Sequence, residues 1–415
     1  MGNKILNKKN SKSESSTNTK QIKKMKKVNS NSISCLSKIK NKNGDYFISL
    51  GLYNGGIELY DIHNLDLLAQ NYNTINNNEI IGYISSLTDN NFIVNGSYLY
   101  IFTFYKNKNF KIIKSKRAKS PFIELMYNIG LVQKLNYPEQ KVNNLNFAYP
   151  YDDLSIMRSF IFDRNKNRNY NIYEEVQDIE EELIVNGDLG IIIFTRNKES
   201  INQDNGINKN EDKNGENNFD LASYVKKWEK NPFAYKRHLS SLCHYDMEQV
   251  NFKYIASTVD KYVLLYSMEE YELITKFEVK ISVDCYKIMY MLTDDLLCIG
   301  GDDTVTLISI KDFEICLVST IKPNYKITEI CILPNYNIII GIQNKDKNIK
   351  REEYLYQYKY YSRVNEMTKK VEHNIYQIST ELLTKNNSNI SMECINNSLV
   401  TIVDQEYILL WDLYC

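Results

Sequence analysis

Ser49-Leu-Gly-Leu-Tyr-Asn-Gly-Gly-Ile-Glu-Leu-Tyr-Asp61 is the stretch whose reading decides the fold, because it recurs. Cys298-Ile-Gly-Gly-Asp-Asp-Thr-Val-Thr-Leu-Ile-Ser-Ile310 is a second copy, and Val400-Thr-Ile-Val-Asp-Gln-Glu-Tyr-Ile-Leu-Leu-Trp-Asp412 a third. Each is a short apolar strand, a turn of Gly, Asp or Asn type, and a second apolar strand. A unit that recurs at a fixed spacing sets the architecture before any single residue does.

Aligning the third strand of each unit places anchors at Tyr60, Phe102, Phe194, Tyr266, Ile308, Tyr356 and Trp411. Two of the intervals are 42 residues, which matches a four-stranded propeller blade of ~40–45. The expected fold is therefore all-β, a seven-bladed β-propeller. The 92-residue interval between Phe102 and Phe194 leaves room for an eighth blade. Residues 1–30 read as a basic, largely disordered tail, and 31–415 as the propeller. Insertions are expected near 118–180 and 197–237.

A ring must close, or its first and last blades expose unpaired edges. The last unit offers three strands, 390–395, 399–403 and 407–413, one short of a blade. The segment 22–28, just before the first unit, is the expected source of the fourth. One helix is expected within the second insertion. Asp220 is a good N-cap, and Leu221, Tyr224, Val225 and Trp228 follow at helical spacing. That apolar stripe either packs on the propeller or receives a partner.

The units resemble WD40 repeats. The resemblance rests on Gly55-Gly-Ile-Glu-Leu-Tyr-Asp61, on Gly300-Gly-Asp-Asp-Thr-Val-Thr-Leu307 and on the Trp411-Asp412 dipeptide. Val94–Phe102, Val185–Phe194 and Ala256–Tyr266 are weaker copies. The resemblance implies a non-enzymatic scaffold or adaptor that presents loops to partners in a multiprotein complex. The chain departs from the pattern in one respect. WD40 blades often carry a Gly-His pair, and none of the four His here (63, 238, 244, 373) follows Gly.

No motif calls for catalysis, a metal or a cofactor. His-Glu-x-x-His, Gly-x-Ser-x-Gly and the phosphate-cradling Gly-x-x-x-x-Gly-Lys are missing from the sequence. Cys243 and His244 are adjacent, so in a strand they point to opposite faces. Asp302-Asp303 reads as a turn. No small-molecule substrate is inferred. The eight scattered Cys form no Cys-x-x-Cys pair, which fits a reducing, cytoplasmic setting.

Charge is unevenly placed. The first 30 residues hold nine Lys and one Glu, leaving 42 basic and 50 acidic side chains in the rest. Lys4, Lys8, Lys9, Lys12, Lys23, Lys24, Lys26 and Lys27 can meet an anionic membrane surface. Gly2 can accept a myristoyl group, although Leu6 stands where Ser or Thr is usual. A peripheral membrane propeller is thus the alternative reading. Lys106–Lys119 and Tyr224–His238 mix basic and aromatic residues and support an RNA-binding alternative. The acidic body argues against nucleic acid.

Overall fold

The computed structural model describes residues 22–28, 32–72 (except 42), 80–118 (except 87–90, 96–98 and 107–109), 156–166 (except 165), 182–196 (except 188–189), 233–240, 245–281, 287–345, 353–384 and 391–411 (except 397). Strands of alternating or fully apolar sequence pair in chain order, and the described residues contain no helix. The expected helix at Leu221, Tyr224, Val225 and Trp228 lies outside the described residues, as do Gly2, Lys4, Lys8, Lys9 and Lys12.

β1 (Ile22–Lys27) is followed by six four-stranded antiparallel blades of consecutive strands. Blade 1 is β2 (Ile33–Lys40), β3 (Tyr46–Leu52), β4 (Ile57–Asp61) and β5 (Leu67–Asn71). Blade 2 is β6 (Tyr83–Ser86), β7 (Asn91–Asn95), β8 (Leu99–Lys106) and β9 (Phe110–Ala118). Blade 3 is β10 (Ile156–Phe162), β11 (Glu182–Gly187), β12 (Gly190–Arg196) and β13 (Phe233–Ser240). Blade 4 is β14 (Met247–Gln249), β15 (Tyr254–Val259), β16 (Tyr262–Ser267) and β17 (Glu272–Glu278). Blade 5 is β18 (Met289–Met291), β19 (Leu296–Gly300), β20 (Thr304–Ser309) and β21 (Glu314–Thr320). Blade 6 is β22 (Tyr325–Ile332), β23 (Asn337–Asn344), β24 (Glu353–Val364) and β25 (Val371–Thr384).

The last three strands are β26 (Ser391–Ile395), β27 (Ser398–Val403) and β28 (Tyr407–Trp411). Their fourth place is taken by β1, antiparallel to β28 with Ile22 opposite Trp411 and Lys27 opposite Tyr407. Six blades, not the seven or eight expected from spacing, are thus built wholly from consecutive strands. The reason is chain connectivity: the closing sheet draws its strands from both ends of the described chain. Val28 and Ile33 continue the join by donating N–H bonds to the carbonyls of Glu406 and Gln405, each at 2.8 Å.

All seven anchors fall in the third strand of their sheet. The structure explains what the recurring unit encodes. In five blades the outermost strand carries a bulge directly beside the anchor: Leu59/Tyr60, Ile101/Phe102, Ile193/Phe194, Leu265/Tyr266 and Leu307/Ile308. β1 skips a residue in the same place, opposite Leu410 and Trp411. Bulges twist the outer strand and let the sheet follow a curved surface.

In blades 1, 4 and 5 the residue after the anchor caps the next turn. Asp61 Oδ1 accepts the N–H groups of His63 and Asn64, Ser267 Oγ those of Glu269 and Glu270, and Ser309 Oγ that of Asp312. Five residues after the anchor, Leu65, Tyr271 and Phe313 take φ of 57°, 58° and 53°. Each left-handed non-glycine residue costs ~1 kcal/mol, which the cap and the bulge beside it offset.

The first strands approach their neighbours around the ring, β6 with β2 and β10, β26 with β2 and β22, and β18 with β14 and β22, so they line its axis. Middle strands are the most buried, as in β19 and β20, whereas the fourth strand β21 is largely open. Apolar clusters fill the gaps between neighbours. Phe47, Leu59, Phe92 and Phe102 join blades 1 and 2. Cys331, Ile339, Met392 and Trp411 join blade 6 to the closing sheet. Leu36, Ile48, Val400 and Ile408 join that sheet to blade 1.

Candidate functional site in the central channel

The axial strands carry charged residues inside otherwise apolar runs, as in Ile327-Thr-Glu-Ile-Cys-Ile332 and Met392-Glu-Cys-Ile395. The fold gathers several of them at one place. Lys287, just before β18, has a left-handed backbone (φ 56°). Its Nζ donates to the carbonyl of Leu36 at 2.6 Å. It also lies 3.7 Å from Glu329 Oε1 and 3.6 Å from Glu393 Oε2. Leu36 is in blade 1, Glu329 in blade 6 and Glu393 in the closing sheet. One blade-5 side chain therefore ties four neighbouring units. Lys38 of β2 completes the group, with Nζ 3.0 Å from Glu393 Oε1 and donating to the Cys394 carbonyl at 3.1 Å.

Electrostatics divides these groups. Burial pulls the Lys287 ammonium down, but Glu329 and Glu393 outweigh it and hold it above the ordinary lysine value. Lys38 is raised chiefly by the Glu393 charge. Glu329 is pushed up to about 8, first by burial, with Lys287 opposing and Glu393 and Asp246 reinforcing. Its Oε2 accepts the Met392 N–H at 2.7 Å, whereas Oε1 has no hydrogen-bond donor. Asp246 is 1% exposed. Its Oδ2 accepts the N–H groups of Ile288 and Met289 at 2.9 and 3.0 Å. Asp246 and Glu329 thus do the same work: each carboxylate reaches from one axial strand to the backbone of the next.

A second buried cluster joins blades 3 and 4. Glu182, 1% exposed, receives Lys236 Nζ and Tyr271 OH, each at 2.7 Å, and also Arg164. Trp411 Nε1 donates to Thr401 Oγ1 at 2.9 Å within the closing sheet.

Buried thiols sit in the apolar clusters between blades. Burial pushes Cys35 up to about 11 and raises Cys298 further. Cys394 is the exception, held below its ordinary value chiefly by a hydrogen bond from Cys331. Among the described residues no group of three or more His, Cys, Asp or Glu is placed to hold a metal ion.

Of the residues singled out in the sequence, Lys23, Lys24, Lys26 and Lys27 sit on β1. Lys24 and Lys27 are exposed, with Lys27 3.0 Å from Glu406 and Lys26 over the Tyr60 ring. Lys27 is raised by its bond to Glu406. Asp302 lies in its turn and pairs with Lys345 at 2.5 Å. Cys243 and His244 lie outside the described residues. Sequence reading missed Lys287, Glu329, Glu393 and Asp246. For Glu329 and Glu393 the available signal was a charge embedded in an apolar strand run, which is rare unless paired.

The fold places the chain among the β-propellers. No known protein family matches the sequence, and no curated protein is recognisably similar to it.

Proposed function

We propose that this chain is a non-enzymatic protein-interaction scaffold on a divergent WD40 propeller, seven-bladed when the closing sheet is counted. One observation carries the reading. The outer strands of adjacent blades 4 and 5 expose Leu273 and Ile274 on β17, and Ile315 and Val318 on β21. Each is an edge strand with a free row of backbone donors and acceptors, the arrangement that accepts an added strand from a partner. Apolar side chains beside such an edge mark an interaction surface. The channel groups support the non-enzymatic part, since Lys287, Glu329, Glu393 and Lys38 engage one another.

Affinity purification of the full chain, compared with a Leu273→Lys, Val318→Lys variant, tests this. The variant is expected to lose specific co-purifying proteins while keeping its thermal transition. An unchanged set of proteins overturns the assignment.

A second reading is peripheral attachment to anionic membranes, and β1 favours it. Lys24 and Lys27 are exposed on the outer edge of the closing sheet, continuous in sequence with the basic residues before them. Salt-sensitive sedimentation with phosphatidylserine vesicles is the expected behaviour. Sedimentation that ignores anionic lipid refutes it.

A further inference from the structure

The β24–β25 hairpin is unlike the other third-to-fourth-strand connections. Its strands run 12 and 14 residues, against 5 and 5 for β4 and β5 and 6 and 7 for β20 and β21. Its outer end therefore projects past the rim of the ring. At the tip Met367 is 94% exposed, and the directly opposed Val364 and Val371 are 60% and 52% exposed.

The tip is held in shape. Asn365 Oδ1 accepts the N–H groups of Met367 and Thr368, each at 3.0 Å. Asn365 N–H donates to Lys370 O, and Lys369 N–H to Asn365 O, each at 2.8 Å. A turn pinned this way presents Met367 with little left to order on binding.

We propose that this hairpin is a membrane-contact element, its apolar tip entering an anionic bilayer. The layering along the hairpin fits that occupant. Tyr361 and Tyr376, with ring centroids 5.7 Å apart, are also exposed. Tyr361 lies three residues behind Val364 and Tyr376 five behind Val371, so ~10 and ~17 Å further from the tip. Amphipathic rings at that depth suit the headgroup region, and an apolar tip of that length suits the shallow acyl region. Lys369 and Lys370 flank Met367 and can extend to phosphates. Glu366 is the opposing acid at the tip; Glu372 is engaged by Arg363 at 2.8 Å and Asn365 at 2.6 Å.

Register supplies a second argument. Third strands end and fourth strands begin on one rim of the ring. In the closing sheet that rim is where Ile22 meets Trp411. The basic segment preceding Ile22 therefore joins the propeller on the rim from which the hairpin projects, one sheet away from blade 6. The exposed Lys24 near the start of β1 adds basic charge beside that rim, and an apolar insertion with basic charge nearby is what binding to an anionic surface needs.

This proposal rests on the membrane reading above, and the experiment separates the two. Flotation of the unacylated full chain is measured on phosphatidylcholine vesicles with and without phosphatidylserine. Val364→Asp, Met367→Asp is expected to weaken binding about tenfold or more with an unchanged thermal transition. If the wild-type chain ignores anionic vesicles, both the membrane reading and this proposal fall. If it binds and the double variant binds equally well, the hairpin proposal falls and the membrane reading stands. Met367→Trp gives an independent readout: its emission shifts to the blue and is quenched by brominated lipid. An unshifted emission on bound vesicles overturns the proposal. Loss of a co-purifying protein in the double variant, with vesicle binding intact, reassigns the hairpin to a protein partner and likewise overturns it.

Discussion

Glu329→Gln should remove most of a pH dependence built into the channel. Glu329 is 4% exposed, and burial raises its carboxyl from 4.5 to about 8. The native state therefore binds a proton that the unfolded state releases, so stability falls as pH rises. The loss begins above the unfolded value near 4.5 and is complete above about 8. That separation has a ceiling of about 5 kcal/mol, at ~1.4 kcal/mol per pH unit. That ceiling already includes the opposing pull of the Lys287 ammonium, 3.7 Å from the carboxylate. Lys287 has the opposite acid–base character. Its raised value contributes stability that is fully present below 10.5 and is lost only above it, outside the window of Glu329.

The glutamine amide introduced by Glu329→Gln keeps an oxygen for the Met392 N–H and has no proton to lose. Urea unfolding at several values between about pH 5 and 8.5 is the assay. The variant should gain on the wild type by ~2 kcal/mol or more across that range. Parallel stability curves would refute the account, as would a variant that loses ground toward alkaline pH.

Three further outcomes follow from the packing. Trp411→Ala removes a buried ring and its bond to Thr401, and should cost ~3–5 kcal/mol. Because that ring joins the closing sheet to blade 6, a single global unfolding transition is expected; a low-temperature step with most of the sheet signal retained would contradict it. A Cβ on Gly301 would lie 1.7 Å from the Lys280 carbonyl. Gly301→Ala should therefore lower the melting temperature markedly, and an unchanged melting temperature would argue against this backbone contact. Deleting residues 1–28 should lower the melting temperature and promote aggregation by baring the edge of β28, whereas deleting 1–21 should not. Matching melting temperatures for the two truncations would show that β1 does not close the ring.

Some of these features were legible along the chain. Leu-Tyr-Asp61 and its relatives at Tyr266-Ser267 and Ile308-Ser309 encode a third strand, a neighbouring bulge and a side-chain cap, all within a few residues. Local physics of that range is visible in any window of sequence. The unequal intervals likewise reveal where units are interrupted. Lys287 was illegible for the opposite reason. It is one of 51 basic residues, and its sequence neighbours are ordinary.

By itself the sequence determined the repeating strand–turn–strand unit, the all-β class and the basic character of residues 1–30, because these depend on contacts within a few residues. Tertiary structure alone decided that β1 meets β28 and that Lys287 reaches Leu36, 251 positions away. It alone decided that a Met-tipped hairpin and the start of β1 share one rim. Closing a ring brings distant segments together through burial and backbone pairing, and neither leaves a mark on the residues in between.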